Sequence, residues 1–175
     1  MSARKLDPLA ASDADHILIE RIFDAPRELV FDAWTDPRYL AAWFAPRGCT
    51  IRFEHIDVRP GGRFHSCIDN PEFGECWCVG TYQEIVRPEL LVYSMSVADK
   101  FGNRIDSKLA GHHPDWPEET IVRVTLEDLG DRTRLILRQN APEALARETG
   151  AYPSWLQMLD RLAESLPNGT LRRTS

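Results

Sequence analysis

No stretch of this sequence approaches the ~20 consecutive apolar residues of a membrane-spanning helix, so no membrane span is expected. The segment from Met1 to Asp15 holds no apolar core of signal-peptide length. A cytoplasmic location is therefore expected, with the four cysteines reduced. There is no Gly-rich phosphate loop, no Gly-x-Ser-x-Gly elbow and no His-Glu-x-x-His pair, which argues against a standard hydrolase or nucleotide enzyme. Positive charge is short: 21 Lys and Arg stand against 27 Asp and Glu, a net charge of -6. A sequence-independent nucleic-acid binder wants a basic face, so nucleic acid is not an expected partner. Repeats, low-complexity tracts and internal linkers are absent as well.

What is present is a chain of 175 residues, a length that suits one domain able to bury roughly 70% of its extended surface. Residues 1–14 read as a flexible tail, 15–166 as a single domain and 167–175 as a C-terminal tail. His16 to Phe23 reads as a strand. Asp24-Ala25-Pro26 starts a helix that sets Val30 and Trp34 on one face. Thr35-Asp36-Pro37 stops it and caps a second, whose apolar side is Leu40, Trp43 and Phe44. From Cys49 the period becomes two. Ile51 and Phe53 share one phase, Ile56 and Val58 the other, so a bulge is expected near Glu54-His55. Arg59-Pro60-Gly61-Gly62 suits a type II turn.

Strands follow at about Arg63 to Asp69, Glu75 to Val86 and Leu90 to Val97. Ala98 to Glu118 has no clean period, and a loop of that length is usually functional or mobile. Thr120 to Glu127 and Arg132 to Asn140 form a hairpin about Asp128-Leu129-Gly130-Asp131. A broken stretch then runs to Gly150. The last helix starts at Tyr152-Pro153-Ser154, with Trp155, Leu159, Leu162 and Leu166 at helical spacing. The fold class is α+β: a curved antiparallel sheet of about seven strands gripping a long C-terminal helix, with two short helices after the first strand.

Six ordered motifs carry a resemblance: Ile19 to Pro26, Val30 to Pro37, Trp43 to Pro46, Asp57 to Phe64, Gly80 to Ile85 and Pro88 to Tyr93. Thr133-Arg134-Leu135 and the Trp155 to Leu166 helix close the set. Over residues 16 to 166 the chain resembles the family named after the activator of the heat-shock protein 90 ATPase, a branch of the START and Bet v 1-like, or SRPBCC, superfamily. The resemblance implies the helix-grip fold. It implies one of several roles: a carrier of small hydrophobic molecules, an aromatase/cyclase-like enzyme, or a co-chaperone. The role expected first is non-catalytic binding of a small apolar molecule between sheet and helix, with no cofactor. Cyclase- or hydrolase-like chemistry with His55, His65 or His112 as base, and a chaperone partner, stay open.

The residues expected at such a cavity come from every part of the fold. The short helices offer Trp34, Trp43 and Phe44. The strands offer Phe53, His55, Phe64, Trp77, Tyr82, Tyr93 and Met95. Trp116 comes from the long loop, and Trp155, Met158, Leu159 and Leu162 from the last helix. Plain core packing is the competing reading for each aromatic. Glu84, Arg123 and Asp57 are polar anchors if they point inward. Cys76 and Cys78 share one strand face, as do His65 and Cys67. Four soft ligands would meet only if the hairpin register matched them; the spacing is poor for zinc, and small buried hydrophobes are expected instead. The Ala98 to Glu118 loop is expected to be a lid bearing His112, His113 and Trp116, with an inert excursion or a homodimer contact as alternatives.

Overall fold

A computed structural model describes residues 16–166; the two expected tails lie outside the described residues. The strands are β1 (Ile17–Phe23), β2 (Thr50–Ile56), β3 (Arg63–Asn70), β4 (Gly74–Val86), β5 (Leu90–Ala98), β6 (Thr120–Asp128) and β7 (Thr133–Gln139). The helices are α1 (Arg27–Thr35), α2 (Pro37–Trp43), α3 (Glu143–Thr149) and α4 (Ala151–Ser165). The seven strands form one sheet in the order β1-β7-β6-β5-β4-β3-β2, with every pairing antiparallel. The long helix α4 buries Trp155, Met158, Leu159 and Leu162. This is the antiparallel sheet covered by a terminal helix that the alternating strands and helical stripe predict, and the helix-grip architecture that the resemblance implies.

Local chemistry explains the turning points. Asp36 closes α1 with its backbone N–H on Asp32 O and opens α2 by accepting from Arg38 N with its carboxylate. Pro37 then occupies the first helical turn, where its missing N–H costs nothing. In the Arg59 to Gly62 turn, Gly61 has φ +83° and Gly62 N donates to Arg59 O. The expected bulge falls between Phe53 and His55. It leaves Glu54 as the extra residue, so Phe53 and Ile56 both reach the inner face. A second bulge, absent from the sequence reading, lies between Tyr82 and Glu84 and does the same for Tyr82 and Ile85.

Two expectations need correction. The stretch before Gly150 is not broken: it is α3, closed by Gly150 in the left-handed region at φ +87°. Its start carries Pro142 and Glu143, both ordinary helix-opening residues. The helix was hidden because only Ala146 of its seven residues is buried, so the apolar period is missing. The second correction concerns the thiols, expected as small buried hydrophobes: Cys67 is buried, but Cys76 is exposed. Cys67 pairs with Trp77, while Cys76 pairs with Ile68 and Cys78 with Ser66. Paired residues share a face, so His65 and Cys67 face out while Cys76 and Cys78 face in. The register therefore separates the four candidate ligands. Among the described residues, no three His, Cys, Asp or Glu side chains cluster as metal ligands.

Candidate functional site

The concave face has two ends, and they are filled differently. At one end α1, α2 and α4 converge. Trp34 meets Trp43 edge-on at 4.6 Å between ring centroids, and Trp155 stacks on Trp34 at 6.2 Å. Phe44 joins both Trp43 and Trp155. Trp43 Nε1 donates to Ala33 O at 2.9 Å, locking α2 onto α1. From the sheet come Phe64, Tyr82 and Tyr93, whose rings contact one another. Phe64 lies over Gly80, its register partner; a Cβ on Gly80 would sit 2.3 Å from the ring and 1.9 Å from Ser94 O. So tight is this packing that a void of only about 20 Å³ remains among Trp34, Leu40, Phe44, Phe53, Tyr82 and Tyr93. Trp34 Nε1 and Tyr93 Oη are buried there without a hydrogen-bond partner among the described residues. Burial holds the Tyr93 phenol well above its usual pKa.

Arg161 fastens α4 to this end. Its guanidinium donates to Ala45 O at 2.6 Å and Ala42 O at 3.1 Å, with Pro46 O and Cys49 O at 3.4 Å. These carbonyls close α2 and the turn after it, where a cation is favoured.

At the other end the sheet runs on beyond the aromatics and a cavity of about 880 Å³ opens. Its floor is Cys78, Met95, Val97, Thr120 and Gln139 from the inner faces of β4 to β7. One wall is the α3–α4 junction, with Thr149, Gly150 and Ala151. The other is the segment between β5 and β6, which contributes His112, His113, Trp116 and Glu118. That segment has its own internal bonds. Buried Ser107 donates to Glu118 Oε1 at 3.1 Å, and its carbonyl accepts from His112 N. Asp115 N donates to His113 Nδ1 at 3.1 Å, so a neutral His113 carries its proton on Nε2.

On the cavity floor, Gln139 joins three elements. Trp155 Nε1 donates to its Oε1 at 2.8 Å, and its Nε2 donates to Thr120 Oγ1 at 3.0 Å. Across the cavity floor, burial pushes the Cys78 thiol up to about 12. That thiol is a small apolar wall group rather than a nucleophile, which would need a lowered pKa.

Of the residues expected at the cavity, Met95 and Trp116 line it. Trp34, Phe44, Phe53, Phe64, Tyr82 and Tyr93 line the small void instead. Trp43, Trp155, Met158, Leu159 and Leu162 belong to the same continuous core. His55 and Trp77 are on the outer face: His55 pairs with His65 and is exposed, and Trp77 lies against His65 and under Arg52. The bulge at Glu54 turns His55 outward as it brings Ile56 in. The three polar anchors are outside as well. Glu84 is exposed, half-buried Arg123 alternates with the inward Val122 and Val124, and Asp57 pairs with Arg59 in the turn. Missed by sequence reasoning were Gln139, Thr120, Val97 and the α3–α4 junction. Gln139 and Thr120 stand in phase with apolar inner residues of their strands, and that in-phase polarity is the signal that could have found them.

A curved seven-stranded antiparallel sheet wrapped on a C-terminal helix, with a cavity at one end, defines a helix-grip protein of the Bet v 1-like class. The family model of activator of Hsp90 ATPase homolog 1-like proteins matches residues 24–166, and the chain belongs to that family. Solved structures agree on the fold. A protein from Arthrobacter aurescens superposes with a TM-score of 0.76 at 23% identity, covering 89% of this chain and 88% of that one. One from Chromobacterium violaceum gives 0.69 at 27% identity, covering 86% and 95%. A third, from Staphylococcus epidermidis, gives 0.74 at 20% identity, covering 94% and 96%. No curated protein matches the chain. Among the described residues, no helix is long and apolar enough to cross a membrane.

Proposed function

We propose that this protein binds a small, largely apolar molecule in the cavity between the inner sheet face and α4, without covalent chemistry. The observation that carries the reading is the cavity itself. Its volume of about 880 Å³ falls in the ordinary range for small-molecule sites, and Met95, Val97 and Trp116 give it apolar walls. Catalysis has less support. A general base works through a hydrogen-bonded acid–base arrangement. Here His113 Nδ1 is held by a backbone N–H and Glu118 by a serine hydroxyl. We read the Asp99 to Glu119 segment as a lid, since His112, His113 and Trp116 all reach the mouth from it.

Titration with the neutral dye Nile red tests the reading directly. Saturable one-to-one binding, together with a co-purifying small molecule in native mass spectrometry, supports it. Absence of both would reject it. Replacing Asp106 to Pro117 with a short glycine linker tests the lid: the dye's on- and off-rates should change strongly, and unchanged rates would leave the segment without that role.

A further inference from the structure

The cavity's polar groups are sorted by kind and by depth. Deep in it stand Gln139 and Thr120, 5% and 3% exposed. The Trp155 indole can only donate, so it holds Gln139 Oε1 toward itself and leaves Nε2 facing Thr120. Nε2 has two hydrogens and uses one on Thr120 Oγ1. The second amide hydrogen and the Thr120 hydroxyl hydrogen find no protein acceptor among the described residues. Gly150 and Ala151 bring the start of the fifteen-residue α4 to the same wall, and no side chain caps it. This end of the cavity therefore offers unspent donors. The rim differs: Glu118 and Glu148 are exposed carboxylates there beside His112 and His113, and none of the described lining residues is Lys or Arg.

A buried acceptor with no formal charge answers the donors at little desolvation cost. A carboxylate in the same place would lose its hydration with no lysine or arginine beside it to replace it, and would approach past two like charges. The part-charge of one helix start is small beside those terms.

Resting on the binding reading above, we propose that the cavity selects an uncharged or cationic molecule with an apolar body and a buried hydrogen-bond acceptor such as a ketone carbonyl. The carbonyl oxygen accepts from Gln139 Nε2 and Thr120 Oγ1, the body lies between Met95, Val97 and Trp116, and any amine or hydroxyl turns to Glu118 and Glu148.

Three matched naphthalene dyes separate the possibilities. Each carries a dimethylamino group at one end. At the other, the first has a propionyl ketone, the second hydrogen and the third a carboxylate. The ketone should bind about 3- to 10-fold tighter than the hydrogen analogue, the value of about one net hydrogen bond, with the carboxylate weakest. Thr120→Val, which keeps the side-chain shape, should remove most of the ketone's advantage over the hydrogen analogue. The Glu118→Gln/Glu148→Gln double variant, at the exposed rim, should strengthen the carboxylate dye and not the other two. If the hydrogen analogue matches the ketone, or the carboxylate binds tightest, the selectivity is wrong while the cavity still binds. If none of the three binds and Nile red also fails, the binding reading falls with it.

Discussion

The two ends of the concave face share one sheet and one helix but are built from different residues. At the α1–α2 end, three tryptophans, Phe44, Phe64 and two tyrosines interlock and leave about 20 Å³. At the other, the inward positions include Cys78, Val97 and Thr120, whose side chains are small, and about 880 Å³ stays open. Aromatic residues close space here and small ones create it. A mutation should therefore act on stability at the first end and on binding at the second.

Trp155→Ala should have the largest effect, because Trp155 belongs to both ends. It stacks on Trp34 and also supplies the donor that orients Gln139. Truncating a buried tryptophan costs about 3–5 kcal/mol, and the orphaned Gln139 oxygen adds to that. Chemical denaturation would measure it. A loss below about 1 kcal/mol would mean that the aromatic end is not packed as described.

Arg161→Met comes next. The methionine keeps the apolar stem but strands the carbonyls of Ala42 and Ala45. Hydrogen bonds from a charged donor are worth about 1.5–3 kcal/mol, and a destabilisation of that order is expected with dye binding retained. Equal stability to the parent would show that water serves those carbonyls as well.

A pair of insertions sets the two ends against each other. Leu40→Trp adds volume where only the small void exists, and overpacking should cost about 1–3 kcal/mol. Met95→Trp adds it where there is room. Stability should then move by less than about 0.5 kcal/mol while Nile red binding is lost. If Met95→Trp destabilises as much as Leu40→Trp, the open end is not open.

The same contrast explains what could be read from the sequence. Phe53 and Ile56, three apart and both apolar, revealed the first bulge. Tyr82 and Ile85 carry the identical signal, and the second bulge was equally readable. Asp36-Pro37 and Pro60-Gly61-Gly62 announced their turns through chemistry confined to a few neighbouring residues. The cavity was harder, because emptiness has no residue type. Trp34, Phe64 and Tyr93 drew attention as large aromatics, and size made them core. Gln139 and Thr120 looked like ordinary polar ends of strands. Their role depends on Trp155, which reaches them only through the tertiary fold.

Tyr93→Phe is the smallest expected effect and the sharpest test of the closed end. The Tyr93 hydroxyl is buried with no partner among the described residues, a state that costs free energy. Phenylalanine keeps the ring contacts with Phe64 and Tyr82 and removes only that oxygen. At neutral pH the variant should equal the parent or exceed it by up to about 1 kcal/mol. The pH dependence has a definite sign. Burial raises the phenol's pKa in the fold above its unfolded value near 10, so the folded state holds the proton more tightly. That contribution is whole below about pH 10 and is lost as pH rises from there toward the folded pKa. Cys78, raised from 9.0 to about 12, loses its own share between those values, so the parent should weaken from about pH 9 upward. Tyr93→Phe should lessen the decline above pH 10, to which Tyr82, raised by burial as well, also contributes, and leave the part nearest pH 9, which Cys78→Ala should lessen instead. A Tyr93→Phe protein less stable than the parent by more than about 1 kcal/mol at pH 7 would show that the hydroxyl has a partner, for which the void of about 20 Å³ has room for a single water.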